Sequence, residues 1–240
     1  MNWIDFETRP HRSISVLTVA MGLLVALVFY LLPNLDLGIA RLFVDGNSRF
    51  FVADSTAGFL AREIAAAAPF VVLGGMVIAY VANRIGRPIC RAPSLLSLIF
   101  LIASFSLSSG VVVNLGMKDH LHRPRPVQVT QFGGTRVFRE YYQWDGTCPR
   151  NCSFPSGEAS AAFWLVAPAS LAPPPYRVAA ISGALGFGLV TSLLRMAFGG
   201  HFLSDVLFAS VITILMVVFF HWLFFRRLGL SGGEHGGPRQ

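Results

Sequence analysis

Six blocks of apolar residues, each near the roughly 20 residues a helix needs to cross a bilayer, limit what this 240-residue chain can fold into. They cover 14–32, 65–82, 95–115, 158–171, 178–194 and 202–225. Charged residues make up 13% of the chain, about half the share usual in a soluble domain, and the mean hydropathy is +0.60. The expected architecture is all-α, a six-transmembrane-helix bundle forming one membrane domain over 1–230, followed by a flexible polar tail at 231–240. The fourth block is the weakest, being short and ending in Pro173-Pro174-Pro175. The first follows Arg9 and Arg12 as a signal peptide would, but it lacks a small-x-small cleavage site and reads as an uncleaved membrane helix.

An even number of spans puts both termini on one side. Arg9 and Arg12 precede the first span, Arg84, Arg87 and Arg91 separate the second from the third, and Arg226 and Arg227 follow the last. This excess of positive charge marks the cytoplasmic side. The first external loop, 35–64, carries three arginines against four acids, and its mixture of Leu37, Ile39, Leu42 and Phe43 with Phe50 and Phe51 suggests short helices lying in the interface. The second, 117–155, holds six basic residues against Asp119, Glu140 and Asp145, a breach of the positive-inside pattern that points to a site. Binding of anionic lipid headgroups is the plainer alternative. The net charge of +7 does not indicate nucleic acid, because the basic residues gather at the ends of apolar blocks and form no stripe interleaved with aromatics. Cys148 and Cys152 flank Pro149-Arg150-Asn151 in that external loop, while Cys90 sits alone on the cytoplasmic side. A pair on the oxidising side fits a disulfide, with two free thiols as the alternative. Lacking partner ligands nearby, the pair makes a poor metal site.

Three polar clusters interrupt the apolar sequence, and topology brings all of them to the external end of the bundle. Lys118 with Arg125-Pro126 follows the third span, Pro155-Ser156-Gly157-Glu158 opens the fourth, and Arg195 with His201 and Asp205 joins the fifth to the sixth. Lys118 is the only lysine in the chain. Lys118, Arg125 and Arg195 offer two planar forks and one rotatable point charge, a combination that suits a phosphoryl group. Pro124 and Pro126 stiffen the segment that carries Arg123 and Arg125. Ser156 has the form of an N-cap, Gly157 would let a ligand approach the backbone, and free N–H groups at a helix start bind phosphate. Glu158 in the first turn also suits the helix dipole, which would make it merely structural. His201 and Asp205 are spaced i, i+4 on one helix face; a carboxylate on one imidazole nitrogen leaves the other free to attack.

With their internal spacings, these segments resemble the three signature motifs of the type-2 phosphatidic acid phosphatase superfamily, which also includes vanadium haloperoxidases. The resemblance implies a phosphate held by Lys118, Arg125, Arg195 and the Ser156-Gly157 backbone, attack by His201 to give a phosphohistidine, orientation of His201 by Asp205, and no metal or cofactor. Two positions depart from the family pattern. Leu194 stands where serine usually precedes the arginine, and Glu158 stands where a histidine usually protonates the leaving group. Three explanations are open for Glu158: burial raises its pKa so that it donates the proton, His120 or His122 donates instead, or the leaving group needs little help. The segment from Leu35 to Phe43 and the run Cys152-Ser153-Phe154-Pro155-Ser156-Gly157-Glu158 look like those of bacterial lipid A phosphatases. The resemblance therefore implies a multi-pass protein of a bacterial inner membrane, with cytoplasmic termini and a periplasmic site, that dephosphorylates a membrane lipid. Polyprenyl pyrophosphate, phosphatidylglycerol phosphate and phosphotransfer between lipids are the alternatives within enzymes. A transporter or an inactive lipid-binding relative is the alternative outside them.

Overall fold

Helix starts fall where capping residues precede the apolar blocks. The first helix, α1 (Pro10–Leu31), opens on a proline, whose missing N–H is no loss at the first helical position. A short α2 (Leu35–Arg41) follows. Ser55 caps α3 (Thr56–Arg84) by accepting the Gly58 N–H at 3.1 Å, and Ser94 caps α4 (Leu95–Phe105) by accepting the Ser97 N–H at 3.1 Å. The chain is described here by a computed structural model over residues 10–88, 92–118 and 120–227. Arg9, Cys90, Arg91, Asp119 and the tail 231–240 lie outside the described residues.

Beyond Phe105 the third apolar block widens into π-helical turns, Ser106–Lys118. Serine hydroxyls compete for its carbonyls: Ser104 Oγ donates to the Leu101 carbonyl (3.1 Å) and Ser108 Oγ to that of Ser104 (2.6 Å). Such back-bonding loosens the regular ladder. Next come α5 (Gly157–Trp164), α6 (Val166–Ser170), α7 (Pro174–Ala197) and α8 (Leu203–Trp222). The proline run ahead of α7 serves as its start, with proline again in the first turn. The architecture is all-helical; among the described residues only two isolated bridges form, Val44 with Phe50 and Val129 with Arg136.

Among the described residues, five helices are long and apolar enough to cross a membrane. The sixth expected span is instead the pair α5 and α6, of 8 and 5 residues. Even end to end they reach only about 20 Å at roughly 1.5 Å per residue, against a hydrocarbon core of about 30 Å. The reason is burial. Every side chain of α5 except Glu158 is buried, and the helix sits among α3, the π-helical segment, α7 and α8. Lipid meets the outer helices, where Leu17, Leu24, Phe70, Val71, Val190 and Leu193 are exposed. The polar groups turn inward: Ser109 Oγ and Ser160 Oγ lie 2.7 Å apart, Ser160 Oγ and Thr213 Oγ1 2.7 Å apart, and Trp164 Nε1 donates to Ser104 Oγ at 2.9 Å. Small residues and hydroxyls at helix contacts are what membrane packing favours.

Two further expectations change. The first external loop holds one short helix, α2, rather than several, and Asp36 on that helix is buried. Helix α3 begins at Thr56, ahead of the apolar block, so Arg62 belongs to a helix and not to a loop.

Candidate active site

The three clusters do converge. Ser156 caps α5 by accepting the Ala159 N–H at 3.3 Å, and its own N–H donates to the Asp205 carbonyl at 3.2 Å, tying the start of α5 to that of α8. Gly157 is needed for a close approach: a Cβ there would stand 2.5 Å from Asn114 Oδ1. The space that sequence reading reserved for a ligand beside Gly157 is thus occupied in part by Asn114. The contact also brings the end of the π-helical segment against α5, and Lys118 lies about one turn further on, half-buried at that end.

His201 is buried, 2% exposed, in the link between α7 and α8. Its Nδ1 lies 2.7 Å from the Ser153 carbonyl oxygen. A carbonyl only accepts, so Nδ1 carries the proton and Nε2 keeps a lone pair. Asp205 Oδ2 is 3.8 Å from the same nitrogen, beyond hydrogen-bond range. The tautomer that sequence reading ascribed to Asp205 is set instead by Ser153, because the Asp205 oxygens are already claimed. Oδ2 accepts from the Phe202 N–H (2.7 Å) and from Ser153 Oγ, while Oδ1 accepts from Arg123 Nη1 at 2.5 Å. Burial lowers the His201 pKa to about 4; the nearby Asp205 opposes this, and the charges of Arg195 and Arg125 reinforce it. At neutral pH the imidazole is uncharged.

Arg123, read from sequence only as part of the proline-stiffened segment, is 1% exposed and organises this end of the molecule. Nη2 donates to Asp36 Oδ2 (2.7 Å), Nη1 to Asp205 and to Ser204 Oγ (2.7 Å), and Nε to the Arg139 carbonyl (2.8 Å). Its face lies over the Phe202 ring at 4.6 Å. Asp36 also accepts from the Ser204 N–H and Oγ at 2.9 and 2.5 Å. Burial opposes the charge on Arg123, but Asp205 and Asp36 outweigh it and hold its pKa above the ordinary value. Burial raises the Asp36 pKa against the pull of Arg123. The signal in the sequence was faint: two charges, Asp36 and Arg123, in stretches otherwise read as loop.

Glu158 lies between two guanidiniums. Its Oε1 accepts from Arg62 Nη2 at 2.8 Å, and its Oε2 is 3.3 Å from Arg195 Nε. Opposite charges this close favour the carboxylate, the form that has no proton to give. Arg62, like Arg123, is a site residue that sequence reading missed. Arg125 Nε and Nη2 are anchored on the Asn151 carbonyl (3.0 Å) and side chain (2.8 Å). Burial lowers the Arg125 pKa, Glu158 and Asp205 oppose that, and Arg62 adds to it, so these charges share one electrostatic neighbourhood. Cys148 and Cys152 form a disulfide with Cα atoms 5.7 Å apart, closing the loop that carries Asn151. Of the alternative proton donors, His122 has its Nδ1 on the Cys148 carbonyl at 2.9 Å, and His120 is exposed.

This arrangement gathers buried cations, an uncharged imidazole with an available nitrogen and a carboxylate at one end of a helical bundle. Residues 94–228 match the family model of the PAP2 superfamily. A relative from Francisella tularensis subsp. novicida, named lipid A 4′-phosphatase, is 32% identical over 87% of this chain and 96% of its own length. Relatives of the same name from Rhizobium leguminosarum and Rhizobium etli are 41% and 42% identical over 40% of this chain, covering 41% and 37% of their own lengths. No solved structure gives a significant match. The chain belongs to the PAP2 superfamily.

Proposed function

We propose that this chain is a membrane phosphatase that removes a phosphate monoester from lipid A through a phosphohistidine. One observation carries the chemistry: the 2.7 Å bond from His201 Nδ1 to the Ser153 carbonyl, which leaves Nε2 unprotonated among cations. Lys118, Arg125, Arg195 and the Gly157 N–H hold the phosphate oxygens and neutralise charge as it develops; the Ser156 N–H, expected from sequence to share this role, is committed to the Asp205 carbonyl. Nε2 forms a bond to phosphorus while the bond from phosphorus to the sugar oxygen breaks. Water then attacks phosphorus and releases inorganic phosphate, returning His201. Asp205 serves this step at one remove, fixing Ser153 and the start of α8.

The sugar oxygen needs a proton. The name that the three relatives share favours the 4′ position. That position is not anomeric, so its oxygen is a poor leaving group. Glu158 is the proposed donor. It becomes protonated when a dianionic phosphate draws Arg62 and Arg195 away and leaves the carboxyl facing like charge. After donating, it accepts a proton from the attacking water. Support for a periplasm-facing site in an inner membrane, with cytoplasmic termini, comes from the arginines flanking the spans, from the disulfide loop beside the site, and from α5–α6, which though short carry the chain from the site end to the start of α7, whose other end holds Arg195 beside Glu158.

The test is phosphate release by purified protein from lipid A, polyprenyl pyrophosphate and phosphatidylglycerol phosphate. Lipid A should be the preferred substrate, and His201→Ala should bring release down to background. Preference for another lipid would overturn the substrate reading, and substantial turnover by the alanine variant would overturn the nucleophile.

A further inference from the structure

Three polar atoms around Glu158 are buried without a hydrogen-bond partner: Arg62 Nε, Arg195 Nε and Glu158 Oε2. Arg195 is 4% exposed, and a guanidinium that deep keeps an unbonded N–H only at a cost of about 1–3 kcal/mol or more. Native structures tolerate such orphans mainly where a ligand or function uses them. These three converge. Arg62 and Arg195 approach different oxygens of the same carboxylate, Arg62 from α3 and Arg195 from the end of α7. Glu158 has two cations against it, and with Glu63 beside Arg62 the group is balanced, so Lys118 and Arg125 make the site net positive.

We infer that Arg62 is a fourth phosphate-binding residue, and that Glu158 holds its guanidinium beside that of Arg195 until the substrate's phosphate oxygens take their place. Chemistry supports the exchange. A carboxylate and a phosphate present the same edge to a guanidinium fork, two oxygens that accept parallel N–H bonds. A phosphate monoester dianion carries twice the charge of the carboxylate and has three free oxygens. Arg62 can reach it because the side chain is anchored at its tip, by Nη2 on Glu158 and a long Nη1 contact with Glu63, and is about one-third exposed, at 31%. The neighbouring Glu63 is more exposed, at 53%, and its 3.4 Å contact with Arg62 Nη1 is long, so it is a weak competitor. Four cations against Glu158 and the more exposed Glu63 leave the site net positive, which suits a dianionic monoester better than a monoanionic diester. The site would therefore select for a terminal phosphate.

This inference rests on the phosphatase reading for its substrate, but its test need not. Inorganic phosphate is the probe, in two measurements on purified, detergent-solubilised protein: the rise in melting temperature with phosphate concentration, which needs no turnover, and phosphate's inhibition of lipid hydrolysis. In Arg62→Ala the phosphate concentration required for either effect should rise at least tenfold, and Arg62→Lys should recover part of the loss. KM for the lipid should rise more than kcat falls. The double variant Arg62→Ala/Glu158→Gln separates binding from simple charge balance. If Arg62 binds phosphate, the double variant stays at least tenfold weaker than Glu158→Gln alone. If Arg62 only neutralises Glu158, the two variants bind phosphate equally, and the inference fails. It also fails if Arg62→Ala retains wild-type phosphate affinity. Absence of hydrolysis by the wild type on every lipid would sink the proposed function, while the melting measurement would still decide the role of Arg62.

Discussion

Single residues here take their chemistry from what they are buried against. His201 has a pKa lowered to about 4, chiefly by burial, against an ordinary value of 6.5. The unfolded chain therefore binds a proton on this residue more readily than the folded one. Its contribution to stability is complete above about pH 6.5 and is lost as pH falls toward 4, at about 1.4 kcal/mol per pH unit for one proton. Replacing His201 with glutamine keeps an amide donor for the Ser153 carbonyl but removes the titration. Between pH 7 and 5 the melting temperature of the wild type should fall more steeply than that of His201→Gln, measured in one detergent. Parallel curves would mean that the imidazole is not held neutral by burial. Sequence reading located His201, Arg195 and Arg125 because their spacing is local. It could not find Arg123 with Asp36, or Arg62 with Glu158, because those partners lie 87 and 96 positions apart. Nothing local marks a charge that is buried only after the bundle closes.

At the scale of elements, the decisive piece is α5, which sequence reading took for a weak membrane span. Its glycine, alanines and serine are poor lipid anchors, and they mark a helix that neighbours approach closely. Two glycines set how near they come. A Cβ at Gly188 on α7 would stand 2.6 Å from the Phe163 ring, and one at Gly157 would stand 2.5 Å from Asn114 Oδ1. Overpacking of this kind costs typically about 1–3 kcal/mol. Gly157→Ala should lower both the melting temperature and phosphate release, since it pushes the π-helical segment, and Lys118 with it, away from the start of α5. Adding Asn114→Ala removes the obstructing atoms and should restore most of the lost stability and part of the activity. If the second change restores nothing, the glycine is required by a ligand rather than by Asn114. The cap at Ser156 was legible from sequence, from its short run with Gly157 and Glu158, whereas those at Ser55 and Ser94 were not singled out. The π-helical widening was not legible, because it arises from hydroxyls choosing carbonyls one turn back.

For the whole molecule, the distribution of charge and thiols defines two sides. Arginines flank the spans on the side assigned to the cytoplasm, while the second external loop supplies Lys118, Arg123 and Arg125 to the candidate site, so the positive-inside count is broken where phosphate is expected to bind. The three cysteines provide a test of this topology without engineered markers. Cys148 and Cys152 are bonded to each other in the loop beside the site, and Cys90 lies in the stretch between the second and third apolar blocks. A disulfide persists on an oxidising face and is reduced in a bacterial cytoplasm. In intact spheroplasts a membrane-impermeant maleimide should label nothing at first. After a brief impermeant reductant it should label Cys148 and Cys152, located by mass spectrometry. Cys90 should react only once the membrane is permeabilised. Labelling of Cys90 in sealed spheroplasts would invert the topology and put the phosphate site on the cytoplasmic face, where a periplasmic lipid headgroup could not reach it. The same reduction also tests the loop. Asn151, between the two cysteines, anchors Arg125 through two hydrogen bonds, so opening the disulfide should free that guanidinium and raise KM for the lipid without removing His201 chemistry.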